Sequence, residues 1–212
     1  PAFAGSNPAA PANYLSFFMI INMIRLVLFV KLFIFVIIFL NSKAMALEEA
    51  PYSIVYQNDV YEIRNYNERL VIEVNYNNSR SGFRKLFNYI AGSNINSTKI
   101  NMTTPVNRSN KNGVNVMQFF LPSNFTKKNA PMPIDKELTI ITIEEGYYAV
   151  KKYSGRLSDK NFEKHKKILK DNLIKNDIKT LSNSIRSTYN GPLTLPFLRR
   201  NEVMFRVSWI NK

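Results

Sequence analysis

The feature that most restricts the fold is an order of elements that occurs twice between residues 51 and 209. In each copy, two strand-like segments rich in β-branched and aromatic residues precede one amphipathic helix, and two more strand-like segments follow it. The first copy comprises segments 60–66, 70–76, a helix with Phe83, Leu86, Phe87 and Ile90 on one face, and segments 98–103 and 114–121. The second comprises segments 138–143, 147–153, a helix that Ser158 can cap, and segments 184–189 and 202–209. Because the two copies have the same order of elements, we expect the two halves of the domain to be related by a pseudo-twofold axis.

This order predicts the fold class. Each helix has one apolar stripe, which must be buried against strands. Turn-prone residues at Asn67-Glu68 and Glu145-Gly146 predict that the first two strands of each half form a hairpin. We therefore expect an α+β domain: a distorted antiparallel or mixed β-barrel of about eight strands, flanked by two α-helices, with a groove between its two halves.

Three connections are predicted as loops. Residues 107–113 form a polar loop, residues 123–133 a basic loop between the halves, and residues 189–200 a long irregular segment with Pro192 and Pro196. The last is longer than most connections, and long ordered loops often contribute to binding.

The amino-terminal residues are predicted to lie outside the domain. Residues 1–22 are interpreted as upstream translation, with the natural start at Met19 or Met23. Residues 23–46 have the layout of a signal peptide: basic residues, an apolar run over 32–40, and the small residues of Ala44-Met45-Ala46 before the predicted cleavage site. We expect residues 48–211 to form the domain and the protein to be exported, either periplasmic or secreted. Anchoring to the membrane by a retained segment is the alternative.

Composition excludes several kinds of site. Without cysteine the chain cannot form a disulfide, hold a metal through thiolates or attach haem covalently. Its single histidine, His165, excludes metal sites with several histidines. A net charge of +14 favours anionic partners. Because the basic residues are not interleaved with aromatic residues in a stripe, we expect no nucleic-acid binding and regard an anionic membrane surface as the macromolecular alternative.

Five segments carry a resemblance to a known family. They are YEIRNY (61–66), GFRKLFNYIAGSN (82–94), KINMTTPV (99–106), MQFFLP with the later PMPID (117–122 and 131–135), and YNGPLTLPFLRRNEV (189–203). In this order and spacing they resemble the SOUL haem-binding protein family. The resemblance implies a distorted barrel with two flanking helices, and reversible, noncovalent binding of haem or another tetrapyrrole in an apolar groove. Some members carry a proposed axial histidine where this chain has Asn65, and an amide is a poor ligand for haem iron.

The candidate cofactor-binding residues lie on the first helix and in the last long loop. Phe83 and Phe87 could contact a porphyrin ring, and Arg80 and Arg84 its propionates. Leu193, Leu195 and Phe197 are the candidate second wall. The alternative is that the two phenylalanines are core residues and the two arginines a solvated face, as on most amphipathic helices.

Other residues are interpreted as structural. We expect His165 to be a packed side chain rather than an iron ligand, and Trp209 to lie in the core. Arg199, Arg200 and Glu202 are expected to form a local ion pair that closes the final loop rather than propionate contacts. Four methionines are expected to fill core or loop space, namely Met102, Met117, Met132 and Met204.

Two functions are therefore considered. The first is a monomeric haem or tetrapyrrole carrier or buffer without enzymatic activity. The second is a small-molecule-binding or hydrolytic protein of the related effector-binding-domain fold, acting on an apolar ligand. The candidate carboxylates for the second are Glu62, Glu73, Glu144 and Glu145. A glutamate and a tyrosine that converge inside the groove would favour it.

Overall fold

The computed structural model describes Gly5, residues 12–40 and residues 47–210, with side chains described for residues 19–34 of the first range. The chain divides into two compact units, Pro1–Ala46 and Leu47–Lys212. The first unit contains one helix, α1 (Ala12–Leu40). Among the described residues, no helix is long and apolar enough to cross a membrane. The predicted cleavage site at residues 44–46 lies outside the described residues.

The second unit is an α+β domain. Its two α-helices are α2 (Ser79–Ile90) and α3 (Asp159–Lys175), and Pro196–Leu198 forms a short 3-10 helix. Its strands within residues 47–210 are β1 (Glu48–Glu49), β2 (Tyr52–Gln57), β3 (Glu62–Tyr66), β4 (Arg69–Asn75), β5 (Thr103–Thr104), β6 (Val106–Lys111), β7 (Val114–Phe120), β8 (Leu138–Ile143), β9 (Gly146–Tyr153), β10 (Ile185–Thr188) and β11 (Asn201–Val207).

Nine of these strands form one antiparallel sheet with the order β2-β3-β9-β11-β10-β6-β7-β4-β8, while β1 and β5 form a separate parallel pair. The sheet is curved into a half-barrel and two helices cover one of its faces, which confirms the predicted fold class. The order also has the predicted twofold character, because strands of the first half (β6, β7, β4) and of the second (β10, β11, β9) run outward from the centre in corresponding positions.

The predicted hairpins are wrong. Strand β3 pairs with β9 of the second half, and β8 pairs with β4 of the first half, so each half gives its first strand to the other. The turns lie at residues 67–68, as predicted, and at 144–145, one residue before the predicted Glu145-Gly146. They determine where the chain changes direction, but they do not determine which strand becomes the neighbour. The exchange buries Ile63 beside Ala149 and Ile72 beside Ile140.

Both helices begin at a side-chain cap and bury an apolar stripe. Asn78 accepts hydrogen bonds from the backbone of Arg80 and Ser81 at the start of α2, and Ser158 caps α3 as predicted. Val203 of β11 packs in the same cluster as the apolar residues of α3, and Met117 of β7 in the same cluster as those of α2. Strand register puts Val203 and Met117 in one row across the sheet, joined through Arg186 and Arg108, so both helices lie on the same face. We call this the helix face and the opposite one the inner face.

Glycine lets α2 approach the sheet closely. A Cβ atom on Gly82 would lie 2.9 Å from Cβ of Tyr76, the residue that follows β4. Residue 82 is therefore restricted to glycine, and this contact sets the position of α2 and of every side chain that it carries.

The predicted loop 107–113 is mostly strand. Residues Val106–Lys111 form β6, which pairs with both β7 and β10, and only the turn at Asn112 and Gly113 remains irregular. Its asparagine and serine residues have low strand propensity, but two flanking strands override that preference. Ser187 of β10 donates a hydrogen bond to the Asn107 side chain at 2.7 Å, which holds the centre of the sheet together.

Candidate functional site

An apolar groove of about 420 Å³ lies on the helix face of the sheet, beside the start of α2. Its volume falls within the range typical of small-molecule sites. Most of its lining comes from the first turns of α2, from residues between 102 and 108 with Met117, and from residues 188–192, and Leu47 and Leu157 complete it. The apolar side chains that line it are those of Leu47, Phe83, Met102, Val106, Met117, Leu157, Tyr189 and Pro192.

Helix α2 contributes two of the predicted residues to this groove. Phe83 is 41% exposed, and its ring contacts Phe119 at 5.2 Å between centroids. Arg80 lies one turn earlier at the rim, exposed and without a carboxylate partner among the described residues. The groove therefore combines an apolar wall with a cation at its mouth.

The other predicted residues lie outside the groove lining. Arg84 and Phe87 are one turn further along α2, where the Phe87 ring stacks on Phe83 with centroids 6.2 Å apart. Leu193, Leu195 and Phe197 are exposed by 96%, 55% and 70% and do not line the groove.

The late loop reaches the groove through residues 190–192 instead. The Arg199 guanidinium donates hydrogen bonds to the carbonyl oxygens of Thr194 and Pro192, which holds this part of the loop in place. Asn65 lies in β3 opposite Tyr147, on the same face as Ile63, and is not part of the groove.

The inner face of the sheet carries a buried ion-pair cluster. The Arg64 side chain is fully buried and donates hydrogen bonds to both carboxylate oxygens of Glu202, at 3.0 and 3.1 Å. It also donates to Glu62 at 2.8 Å and to the Tyr66 hydroxyl at 3.0 Å. Burial alone would lower the pKa of Arg64, but bonding to Glu202 outweighs burial and raises it.

The cluster extends to the end of the chain's last loop. Arg200 donates to Glu202 at 3.0 Å and makes two hydrogen bonds to Glu49 in β1, at 2.7 and 2.9 Å. This confirms the predicted ion pair between Arg200 and Glu202, whereas the Arg199 guanidinium donates to backbone carbonyl oxygens. The two hydrogen bonds between Arg200 and Glu49 hold β1 against the end of the loop that precedes β11.

Tyr189 connects the groove to the cluster. Its side chain lines the groove, and its hydroxyl donates a hydrogen bond to Glu202 at 2.7 Å. The pKa of Tyr189 is raised, first by burial and then by the neighbouring carboxylate, so the phenol stays protonated. The cavity beside this pair, which Arg69 also lines, has a volume of only about 10 Å³, enough for about one water molecule.

The residues interpreted as structural lie in packed positions. The His165 ring stacks on Tyr153 with centroids 4.3 Å apart, and burial lowers its pKa. Trp209 packs against the α3 core. Met117 and Met204 are buried and Met102 half-buried, whereas Met132 is 60% exposed. Met102 and Met117 also line the groove.

The predicted carboxylates are paired or exposed. Glu62 bonds to Arg64 and Lys152, and Glu73 bonds to Lys111 and Gln118. Glu144 and Glu145 are exposed. Among the described residues there is no group of histidine, aspartate and glutamate side chains that could hold a metal ion.

Sequence reasoning missed the pairing of Glu202 with Tyr189 and Arg64. The alternation of β11 contains a signal for it, because Glu202 must share a face with Met204 and so point into the sheet interior. A charged residue at an inward position indicates a buried partner.

Comparison with solved structures shows that the fold recurs in several proteins. The chain resembles the crystal structure of the EcmrR C-terminal domain (TM-score 0.54, 13% identity, covering 74% of this chain and 100% of that one). It also resembles a hydrolase from Listeria innocua (TM-score 0.52, 9% identity, 73% and 94% covered). A third is EcmrR in a complex with DNA (TM-score 0.55, 11% identity, 91% and 70% covered). At these identities the likeness concerns the fold alone.

No curated protein matches the chain. The family model of the SOUL heme-binding proteins matches residues 47–206, which is well over half of the sequence and nearly the whole α+β unit. The groove, the half-barrel and the two helices all lie within that match. The chain therefore belongs to the SOUL haem-binding protein family.

Proposed function

We propose that the domain binds haem or another tetrapyrrole noncovalently in the groove beside α2 and acts as a carrier or buffer. The observation that carries the proposal is the groove itself: about 420 Å³ in volume, mainly apolar, with Phe83 on its wall and Arg80 at its rim. Membership in a haem-binding family supports the same ligand.

Apolar contact can supply the affinity. A tetrapyrrole is a wide apolar plate, and each 100 Å² of its surface that leaves water contributes about 2.5 kcal/mol before the costs of association. Burial of several hundred Å² of the tetrapyrrole therefore contributes enough free energy for micromolar binding after the costs of association are subtracted.

Within the described lining, the side chains that could approach haem iron are two thioethers and one phenol. Tyr189 donates its proton to Glu202 and has a raised pKa, so it is a poor anionic ligand. Met102 and Met117 are neutral thioethers, which haem iron accepts in some proteins. When bound, haem would supply a redox-active iron, and this site would hold it chiefly through apolar contact with the ring and through cations near the propionates.

A hemin titration of the purified chain tests the proposal. We expect the Soret band to shift and sharpen with saturation near one equivalent. Replacing both Arg80 and Arg84 by Ala should weaken binding, and of the single changes Arg80→Ala should account for most of the loss because Arg80 lines the groove. Phe83→Ala should likewise weaken binding more than Phe87→Ala.

Two controls complete the titration. Arg156→Ala removes an exposed arginine that makes no side-chain hydrogen bond among the described residues, and it should leave the titration unchanged. His165→Ala should leave the spectrum of the bound state unchanged, because His165 packs on Tyr153. No saturable Soret shift, or equal losses from Arg80→Ala and Arg156→Ala, would refute the site.

The alternative is a small-molecule-binding or hydrolytic activity. Tyr189 and Glu202 do converge next to the groove, as that function requires, and a hydrolase from Listeria innocua has the same fold. However, both oxygens of Glu202 already accept hydrogen bonds from Arg64, which leaves the carboxylate poorly suited to proton transfer. Hydrolysis of p-nitrophenyl esters that is abolished in Tyr189→Phe would support this alternative over the carrier function.

We also propose export, with residues 23–46 as signal peptide or anchor. The compact unit starts at Leu47, the residue after the predicted cleavage site, which supports this boundary. Amino-terminal sequencing of the protein from a cell envelope fraction tests it, since cleavage after Ala46 would give Leu47 as the first residue. The proposal of a monomer is tested by light scattering, and that of binding to anionic membranes by sedimentation with phosphatidylglycerol vesicles.

A further inference from the structure

A second, polar cleft joins the apolar groove on the helix face. It has a volume of about 710 Å³ and lies between α3 and strands β6 and β10. Ser79 and Arg108 line both the groove and this cleft, so the two spaces meet at these residues. The cleft carries four cationic side chains, Arg108, Lys166, Lys170 and Arg186, against the two acids Asp159 and Glu163.

The two acids are already engaged. Asp159 accepts a hydrogen bond from Arg186 at 2.8 Å, and Glu163 accepts one from Lys166 at 2.7 Å. Among the described residues, Arg108 and Lys170 make no ion pair. Lys170 is exposed to solvent, whereas Arg108 is half-buried. Arg108 is therefore the cation at this junction that lacks a carboxylate and is partly withdrawn from water.

The position of Arg108 is unfavourable in the free protein. It lies in β6 directly beside Arg186 of β10, and its other neighbour in the row is the apolar Met117. Burial lowers the pKa of Arg108 and the positive charge of Arg186 lowers it further, and the opposing effects of Tyr76, Asp159 and Tyr153 do not restore it. A partly buried cation beside a like charge is stabilised when an anion reaches it.

We propose that Arg108 binds the carboxylate of the ligand. The preferred ligand is then an amphipathic tetrapyrrole carboxylate, with its ring in the groove and an acidic side chain directed into the polar cleft. This inference rests on the proposed function and assigns the orientation of its ligand. Arg80 at the exposed rim then makes a second and weaker contact with the acid, because exposed ion pairs contribute less than half-buried ones, but its replacement should still weaken binding more than that of Arg156. A half-buried guanidinium, in contrast, can bind a carboxylate through two parallel hydrogen bonds.

Comparison of a diacid with its ester tests the inference. Protoporphyrin IX and its dimethyl ester have the same ring, but only the first carries carboxylates, and neither contains iron. Both are titrated by fluorescence into the full chain and into Arg108→Gln, Arg108→Lys and the control Arg156→Gln. Thermal unfolding of each variant establishes that it is folded.

The wild-type protein should bind the diacid at least about tenfold more tightly than the ester, since a hydrogen bond to a charged group contributes that much or more. Arg108→Gln should weaken diacid binding by about tenfold and change ester binding by less than about twofold, with Arg108→Lys between the two. Arg156→Gln should match the wild type. If Arg108→Gln does not fold, Arg108→Met takes its place, and the wild-type preference for the diacid still tests the inference.

The outcomes separate this inference from the proposed function. Saturable binding of protoporphyrin that is insensitive to Arg108→Gln, or equal losses for diacid and ester, would overturn the assignment of Arg108 and leave the groove as the site. Failure of both hemin and protoporphyrin to bind the wild-type chain would overturn the function and the inference together.

Discussion

Replacing Arg64 by methionine removes the centre of the inner-face cluster while keeping a side chain of similar length. The Arg64 side chain is fully buried and donates four hydrogen bonds, one to Glu62, one to Tyr66 and two to Glu202. Methionine can fill the space that the arginine stem occupies, but it cannot donate any of these bonds. The perturbation therefore leaves the carboxylate of Glu202 buried and without its main cation.

The expected loss follows from what remains around Glu202. Removing one partner of a buried ion pair costs about 3–5 kcal/mol, because the other charge stays in a medium of low polarity. Here Glu202 keeps hydrogen bonds from Tyr189 and Arg200, so we expect the lower end, about 3 kcal/mol. For a domain of this size that loss corresponds to a decrease in Tm of roughly 6–12 °C.

Urea unfolding followed by the fluorescence of Trp209, the sole tryptophan, measures this free energy. The matched control is Arg156→Met, which removes an exposed arginine and should change stability by less than about 0.5 kcal/mol. A loss below about 1 kcal/mol in Arg64→Met, or a loss equal to that of the control, would mean that the cluster does not stabilise the fold.

Three further variants test separate parts of the structure. Gly82→Ala should destabilise the domain by about 1–3 kcal/mol and weaken hemin binding, because the new Cβ would lie 2.9 Å from Cβ of Tyr76 and displace α2; urea unfolding and titration measure both effects. Tyr189→Phe should lower stability by about 1.5–3 kcal/mol through the lost bond to Glu202, yet retain hemin binding because the ring stays in the groove wall. Burial lowers the pKa of His165 below its ordinary value of about 6.5. Folding therefore disfavours protonation of this side chain, and its contribution to stability is present above pH of about 6.5 and lost as the pH falls below it. The His165→Gln variant should lose less stability than the wild type when the pH falls from about 7.5 to about 5. Equal pH profiles of the two proteins would contradict the last of these.

The sequence predicted individual elements well because their signals are local. The apolar stripe of α3 and its Ser158 cap lie within one segment, and the alternation of residues 138–143 matches β8 over its full length. Pairing is not local. The exchange of β3 and β8 between the halves depends on which apolar faces fit together, and no turn signal encodes that choice.

The candidate site was predictable to the same extent. The stripe and spacing of α2 located Phe83 and Arg80, which line the groove, but could not distinguish them from Phe87 and Arg84 one turn later. Which turn faces the groove depends on how Gly82 seats the helix on Tyr76, a tertiary contact. The sequence does not identify Arg108, because the polar composition of residues 107–113 predicts a loop, whereas β6 forms by pairing with β7 and β10.

The basic excess of the chain indicates function only where a cation lies apart from carboxylates and away from water. With a net charge of +14, many cations have no acidic partner of their own, and most are solvated at the surface. Arg64 and Arg200 are saturated by glutamates and serve the fold. Arg69 has no carboxylate partner among the described residues, but the rings of Tyr66 and Tyr148 cover its guanidinium. Arg108 is likewise half-buried and without a carboxylate, yet it opens onto two clefts, so an anionic ligand can reach it where none can reach Arg69.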